Sequence, residues 1–257
     1  MRNKKTYIVL IVILFIFFLI MFLIFGLDNI KNTGYDTTII VGEDTIWTYN
    51  KKKWNNVSNY KNLNWEKYNI YLNNVKTGNY YLVNDSKWYA FDDKKNAVML
   101  DGDLLAYKSN HNIDVSSFNT SEIDDYSYVN SVLESNSLSK DSEYTALYKV
   151  VIDFDNDGLD EDFYLITNVF PMGFTPDKIF SIVFMVKDNE IYPMYTNIST
   201  NTGFNGCKPY FSSFIDVNDD SKSEVILSCA KYSTSNVSRM LYEFKNNEFK
   251  ILISNNK

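Results

Sequence analysis

The stretch Asp153-Phe154-Asp155-Asn156-Asp157-Gly158-Leu159-Asp160-Glu161 sets oxygen-bearing side chains at alternate positions, with the apolar segments Ala146–Ile152 before it and Phe163–Val169 after it. A tight acidic loop joining two β-strands accounts for both the alternation and the flanks. The pattern returns 63 positions later as Asp216-Val217-Asn218-Asp219-Asp220-Ser221-Lys222-Ser223-Glu224. Each loop is followed by an outgoing strand and then a hairpin. The hairpins turn at Asp188-Asn189 (179–187 with 190–195) and at Asn246-Asn247 (238–245 with 248–254). A 63-residue internal repeat over 144–257 is the expectation, and it commits this half of the chain to antiparallel sheet.

Calcium is a hard cation that takes six to eight oxygens at about 2.3 to 2.6 Å. Asp153, Asp155, Asp157, the carbonyl of Leu159 and Glu161 supply oxygens at positions 1, 3, 5, 7 and 9 of the first loop, and Gly158 permits the sharp turn. An EF-hand would need an acidic residue at position 12 between helices. Position 12 is Tyr164 and the flanks are strand-like, so that reading fails, as does a dockerin-like one.

Asp153–Glu161 and Asp216–Glu224, each followed by an apolar strand (Phe163-Tyr164-Leu165-Ile166 and Val225-Ile226-Leu227), resemble the FG-GAP or VCBS-type repeats over about 110 residues. That resemblance implies a loop within a propeller-like blade holding calcium as structural glue. Residue by residue, it implies side-chain ligands Asp153, Asp155, Asp157 and Glu161 in the first copy. In the second it implies Asp216, Asn218, Asp220 and Glu224, with the carbonyl of Lys222. The second copy departs from the pattern in having Ser221 where glycine is expected and Asn218 in place of an aspartate. Weaker calcium binding there is the consequence.

Cys207 and Cys229 flank the second loop. A hairpin centred on residues 219 and 220 brings position 229 opposite about 210, close to Cys207. A disulfide is therefore expected, closing a loop worth roughly 3 kcal/mol on the chain-entropy model.

At the N-terminus, Thr6 to Leu27 runs 22 residues without a charge, enough to span a hydrocarbon core. Arg2, Lys4 and Lys5 precede it, so the positive-inside rule leaves residues 1–5 in the cytoplasm and exports the chain beyond residue 27. Bulky residues toward its end, Phe22-Leu23-Ile24-Phe25, argue for an uncleaved anchor over a signal peptide. Localisation is thus read as the cell membrane, single-pass, with the C-terminal part outside. Beyond the anchor, 22 Lys plus Arg face 32 Asp plus Glu, a net charge near −10 (the whole chain carries −7), which disfavours nucleic acid as a partner.

The exported part divides into a juxtamembrane linker (28–36), an aromatic β-hairpin module (37–108), a polar linker with a short helix (109–143) and the two repeats (144–257). Residues 45–49 with 54 onward, and 79–83 with 87–91, read as hairpins, with Trp47, Trp54, Trp65 and Trp88 as packing residues. Ser86-Lys87-Trp88-Tyr89-Ala90-Phe91-Asp92 followed by Met99 resembles one unit of the aromatic cell-wall-binding repeats, which normally occur in tandem. Helical spacing suggests an amphipathic helix from about Ser121 to Leu138 capping the repeats. The single histidine, His111, lies among asparagines and is expected in solvent.

The fold class expected is therefore mainly β: a transmembrane helix, then a hairpin-rich ectodomain with two blade-like repeats, as a partial propeller or packed sheets, and one short helix. With no nucleophile–base motif and its carboxylates assigned to calcium, the chain reads as non-catalytic. The functional expectation is a membrane-anchored, calcium-stabilised binding or accessory module with a protein or glycan partner. Cell-wall or glycan binding through exposed Trp88, Tyr89 and Tyr81 is the alternative, and a carboxylate-based hydrolase the remaining one.

Overall fold

Asparagine and aspartate set the hairpins of this chain. Asn73-Asn74, Asp188-Asn189 and Asn246-Asn247 each place two successive residues at positive φ, the backbone of the tight turns that match strand twist. The computed structural model describes residues 37–255 apart from 51, 59, 61–62, 170–177, 201–206 and 232–235. The expected anchor, residues 6–27, lies outside the described residues, among which no helix is long and apolar enough to cross a membrane.

The structure is mainly β, with three antiparallel sheets and one helix among the described residues. The first sheet has eight strands: β1 (Thr37–Val41), β2 (Thr45–Asn50), β3 (Lys53–Asn56), β4 (Glu66–Leu72), β5 (Val75–Asp85), β6 (Lys87–Phe91), β7 (Ala97–Val98) and β8 (Leu104–Ser109). Their order is β3-β2-β1-β8-β4-β5-β6-β7, so β8 returns to pair between β1 and β4. The hairpins expected over residues 45–56 and 79–91 are both present.

The stretch read as a polar linker contributes β9 (Asp114–Ser116), β10 (Thr120–Ser121) and helix α1 (Ser127–Ser135). The helix is shorter than the expected 121–138, because Ser121 pairs in a strand and the chain enters the helix only after Asp125 accepts the Ser127 N–H. Then come β11 (Ala146–Ile152), β12 (Glu161–Thr167), β13 (Lys178–Lys187) and β14 (Glu190–Thr200), a meander edged by β10. A second meander, β15 (Cys207–Asp216), β16 (Glu224–Lys231), β17 (Val237–Lys245) and β18 (Glu248–Asn255), is edged by β9. Residues 114–121 thus strap the two five-stranded sheets together.

Alternation along the strands explains how these sheets stack. On β12, Phe163 and Leu165 face the second meander, meeting Phe211, Phe214 and Leu227, whereas Tyr164 and Ile166 face α1 through Val129 and Leu133. On β16, Val225 and Leu227 join that inter-sheet core while Ile226 packs with Ile39, Trp47 and Tyr107 of the eight-stranded sheet. Both five-stranded sheets are therefore covered on two faces, which is why their strands read as nearly unbroken apolar runs. The resulting layers are helix, sheet, sheet and sheet, within the single unit Asp36–Lys257. Packed sheets, one of the two arrangements expected, describe the architecture.

The Cys207–Cys229 disulfide is present, with Cα atoms 5.3 Å apart. Cys229 lies opposite Pro209 in the β15–β16 ladder and Cys207 opposite Lys231, a diagonal pair bridging one face of the hairpin.

Candidate functional site

The two acidic loops share one hydrogen-bond frame. In the first, the Asp153 carboxylate accepts the N–H groups of Asp157 and Gly158, both at 3.1 Å, Asp157 accepts that of Leu159 at 2.9 Å, and Glu161 accepts that of Phe154 at 2.8 Å. In the second, Asp216 accepts from Asp220 (3.3 Å) and Ser221 (2.8 Å), Asp220 from Lys222 (2.9 Å) and Glu224 from Val217 (2.9 Å). Position 6 is left-handed in both, at φ 87° for Gly158 and 67° for Ser221. Serine thus adopts a conformation that is easy for glycine and strained for other residues. The loops lie side by side, for the Ser223 N–H donates to the Phe154 carbonyl at 2.9 Å. Between them and β9 is a polar cavity of about 360 Å³, lined by Asp114, Asp153, Asn156, Asp216 and Asp219 among others.

What neutralises the carboxylates differs. Asp153, Asp155 and Glu161 offer oxygens that all lie within 4.8 Å of one another, the one such convergence of His, Cys, Asp or Glu ligand atoms found among the described residues. Into the first loop reaches Lys187 from the end of β13, its ammonium 3.0 Å from Asp155, 2.8 Å from Asp157 and 2.7 Å from Glu161. Glu161 is 2 % exposed. Burial pushes its carboxyl up, and the hydrogen bond from Lys187 works against that. Burial likewise opposes the charged form of Lys187, but hydrogen bonds to Asp157, Glu161 and Asp155 hold it well above the ordinary lysine value. The same lysine holds the Asp157 carboxyl below the ordinary carboxylate value.

In the second loop the Asn218 side chain replaces an ion: its Nδ2 donates to Glu224 at 3.0 Å, while its Oδ1 accepts the Asp220 N–H at 3.0 Å. Burial pushes Glu224 up to about 8, against the Val217 hydrogen bond and with help from the negative charges of Asp220, Asp216 and Glu243. Lys187 lies one step beyond the Asp162–Val186 ladder pair, so it faces Glu161 across the hairpin. One step beyond the Val225–Tyr242 pair, the residue facing Glu224 is Glu243. Lys245, which precedes the turn as Lys187 does, is an exposed residue 3.9 Å from Glu243.

An ammonium already stands among three carboxylates of the first loop, whose donors are all hard oxygens of the kind calcium takes. Four carboxylates, Asp153, Asp155, Asp157 and Glu161, against one lysine leave the site anionic even then. Asp153, Asp155 and Glu161 are the side chains that could hold a metal ion between them, and Lys187 would have to withdraw for them to do so. The Leu159 and Lys222 side chains are exposed, and each residue's N–H is taken up by the loop aspartate two positions before it.

Outside the loops, three expectations need correction: a solvated His111, a packed Trp65, and the exposed Trp88 of the glycan-binding alternative, which is instead a packing residue. His111 is half-buried, not solvated: its ring bridges the Ser109 hydroxyl (3.0 Å) and the Val217 carbonyl (2.9 Å), tying the second loop to the end of β8. Its surrounding asparagines gave no hint of this contact, which is 106 residues distant in sequence. Trp88 is buried with Leu82 and Ala90 and offers no exposed ring, whereas Trp65 is 53 % exposed and rests on Phe91 at 5.2 Å. Tyr81 and Tyr89 lie on the opposite face from Trp88, each with a lysine over its ring. Compared with known proteins, the chain matches no family model, no curated protein and no solved structure.

Proposed function

We propose that this chain is a non-catalytic binding module, carried outside a membrane by an anchor at residues 6–27 and braced by calcium at the first acidic loop. The observation that carries the reading is the cluster around Glu161: a buried carboxylate, two aspartates converging on it and an ammonium already in their midst. Bound there, calcium supplies charge neutralisation and ties the start of β12 to the end of β11. Asp153, Asp155 and Glu161 hold it, Lys187 gives up its place, and Phe154 keeps Glu161 oriented through its N–H. The second loop, whose buried glutamate already has an amide partner, has less need of a cation. In this reading the two meanders are copies of one FG-GAP/VCBS-type unit. The carboxylates that hydrolysis would require are committed to backbone and lysine hydrogen bonds, which supports a structural role over a catalytic one.

Titration of the full chain in detergent micelles with calcium and, separately, magnesium tests this. Calcium should release or absorb heat saturably and raise the unfolding temperature, with magnesium weaker because it dehydrates reluctantly and demands stricter geometry. No heat and no thermal shift at millimolar calcium would overturn the calcium assignment.

A further inference from the structure

A second concavity, of about 1100 Å³, lies away from the acidic loops, between the eight-stranded sheet and the edge of the second meander. Three consecutive residues of β6 line it, although Trp88 packs inward with Leu82 and Ala90 while Lys87 and Tyr89 lie together on the outer face. A cleft that touches both faces of one strand runs along the edge of that strand.

That edge is open over half its length. β6 pairs with β5 from end to end, Lys87 opposite Asp85 through to Phe91 opposite Tyr81. On its other side β7 covers only Ala90 and Phe91, because the ladder stops at Val98. Residues 99–103 belong to no strand, and their far end is pinned to the β4–β5 turn: the Asn73 N–H donates to the Asp103 carbonyl at 3.1 Å, and the Asp103 N–H donates to Asn73 Oδ1 at 2.9 Å. Among the described residues, Lys87, Trp88 and Tyr89 therefore have ladder partners on one side only. The opposite edge of the same sheet is held against β18, where Asn56 donates to the Ser254 carbonyl at 3.0 Å. A strand edge without a neighbour presents a row of N–H and C=O groups, and an added strand satisfies them.

Charge decides which strand fits. Glu43, Asp101 and Asp103 stand exposed on the walls of the cleft and, among the described residues, form no ion pair. Of the two cations there, Arg239 is paired with Asp44 and Lys87 is drawn over the Tyr89 ring, 5.4 Å from its centroid. Beside the carboxylates Met99 is 83 % exposed. An open ladder, uncompensated carboxylates and apolar surface in water are met together by an extended segment that alternates lysine or arginine with small apolar side chains. We propose that β6 accepts a strand from a basic, extended segment of a partner protein, which pairs with Lys87–Tyr89 and sets its cations against Glu43, Asp101 and Asp103. The proposal rests on the reading of the chain as a binding module, but not on calcium.

The test is calorimetric titration of the full chain in detergent micelles, in calcium and in chelator, with a capped heptapeptide that alternates lysine with valine or threonine. Its controls are the same peptide with glutamate for lysine, and two isomers N-methylated on alternate residues, one on the odd and one on the even positions. The lysine peptide should bind saturably with Kd tighter than about 1 mM, and more weakly as salt is raised. A strand that pairs by one edge tolerates methyl groups on the residues facing away, so one isomer should bind within about twofold of the parent peptide and the other at least about tenfold more weakly. Asp101→Asn combined with Asp103→Asn should weaken binding about fivefold and leave the unfolding temperature unchanged, since both side chains are exposed. The proposal is overturned if the lysine peptide does not bind, if the glutamate peptide binds as well, if the two isomers bind equally, or if the double variant binds as the parent chain does. It is overturned too if the chain sediments as a dimer that the peptide dissociates, which would give the edge to a second copy. Peptide binding without a thermal response to calcium would sink the calcium assignment and leave the edge standing, and a calcium response without peptide binding would do the reverse.

Discussion

The two acidic loops have the same backbone frame and different partners for their buried glutamates. Each buries a glutamate at position 9, and each glutamate accepts the N–H of the residue at position 2. In the first loop the residue across the hairpin is Lys187, whose hydrogen bond works against the upward push of burial on Glu161. In the second it is Glu243, and Glu224 is driven toward its neutral form with an asparagine amide beside it. Hydrogen bonds to backbone determine the shape of such a loop, whereas the residue one ladder step away decides what charge it can hold. A frame of this kind can be kept while the charge it encloses is changed through one or two side chains.

The largest expected effect that would break this comparison is on pH dependence. Glu224 is raised to about 8 from an ordinary 4.5. Below pH 4.5 it is protonated in both folded and unfolded chains, so folding gains or loses nothing from it. Between 4.5 and 8 the folded protein keeps a proton that the unfolded chain releases, so its contribution to stability falls as pH rises. At about 1.4 kcal/mol per pKa unit, the loss is on the order of 4 kcal/mol by pH 8. Denaturant unfolding in chelator across this range should show that slope, and Glu224→Gln should flatten it. An unchanged slope in the variant would mean that Glu224 is not the group responsible.

Removing the other loop's counter-charge comes next. Lys187→Met leaves Glu161 buried and Asp155 uncompensated. Breaking a buried ion pair costs about 3–5 kcal/mol, and discounting for the partly exposed Asp157 end gives about 2–3 kcal/mol in chelator. If the lysine stands where a cation belongs, calcium should recover most of that loss and bind the variant more tightly than the parent. Equal destabilisation with and without calcium would separate the lysine from any metal site and break the parallel with Asn218.

How far these contrasts could be read from the chain depends on distance in the ladder. The alternation of Asp153, Asp155 and Asp157, the outgoing apolar strands and the Asn and Asp turns are local signals, and the hairpins formed where they pointed. The disulfide was legible because a hairpin fixes which cysteines approach. Lys187 was not. Lys187 and Lys245 both precede the turn of their hairpin, yet the second hairpin reaches two residues further beyond its loop, so Glu243 takes the place opposite Glu224. Strand register decides this, and no short window of sequence encodes it. The strap formed by β9 and β10 was hidden for a related reason: strands of three and two residues carry too few alternations to be distinguished from loop. Trp88 and Tyr89 are adjacent on β6 and point to opposite faces, so which of them is buried depends on the layer packed against that sheet.

The smallest effect is the one that sharpens the comparison most. Glu243→Lys would set a lysine opposite Glu224, reproducing the arrangement around Glu161 in the second loop. Its weak contact with Lys245, at 3.9 Å and largely in water, contributes almost nothing, so little is lost by the change. Above pH 8, where Glu224 is otherwise ionised without a cationic partner, the new ammonium should stabilise the fold by about 1 kcal/mol, and near pH 5 it should do nothing because the carboxyl is protonated. The midpoint of the pH-dependent stability loss should accordingly move down from about 8. If the same gain appeared at both pH values, the lysine would be acting through the general negative charge of the loop, and the residue across the hairpin would not be what separates the two sites.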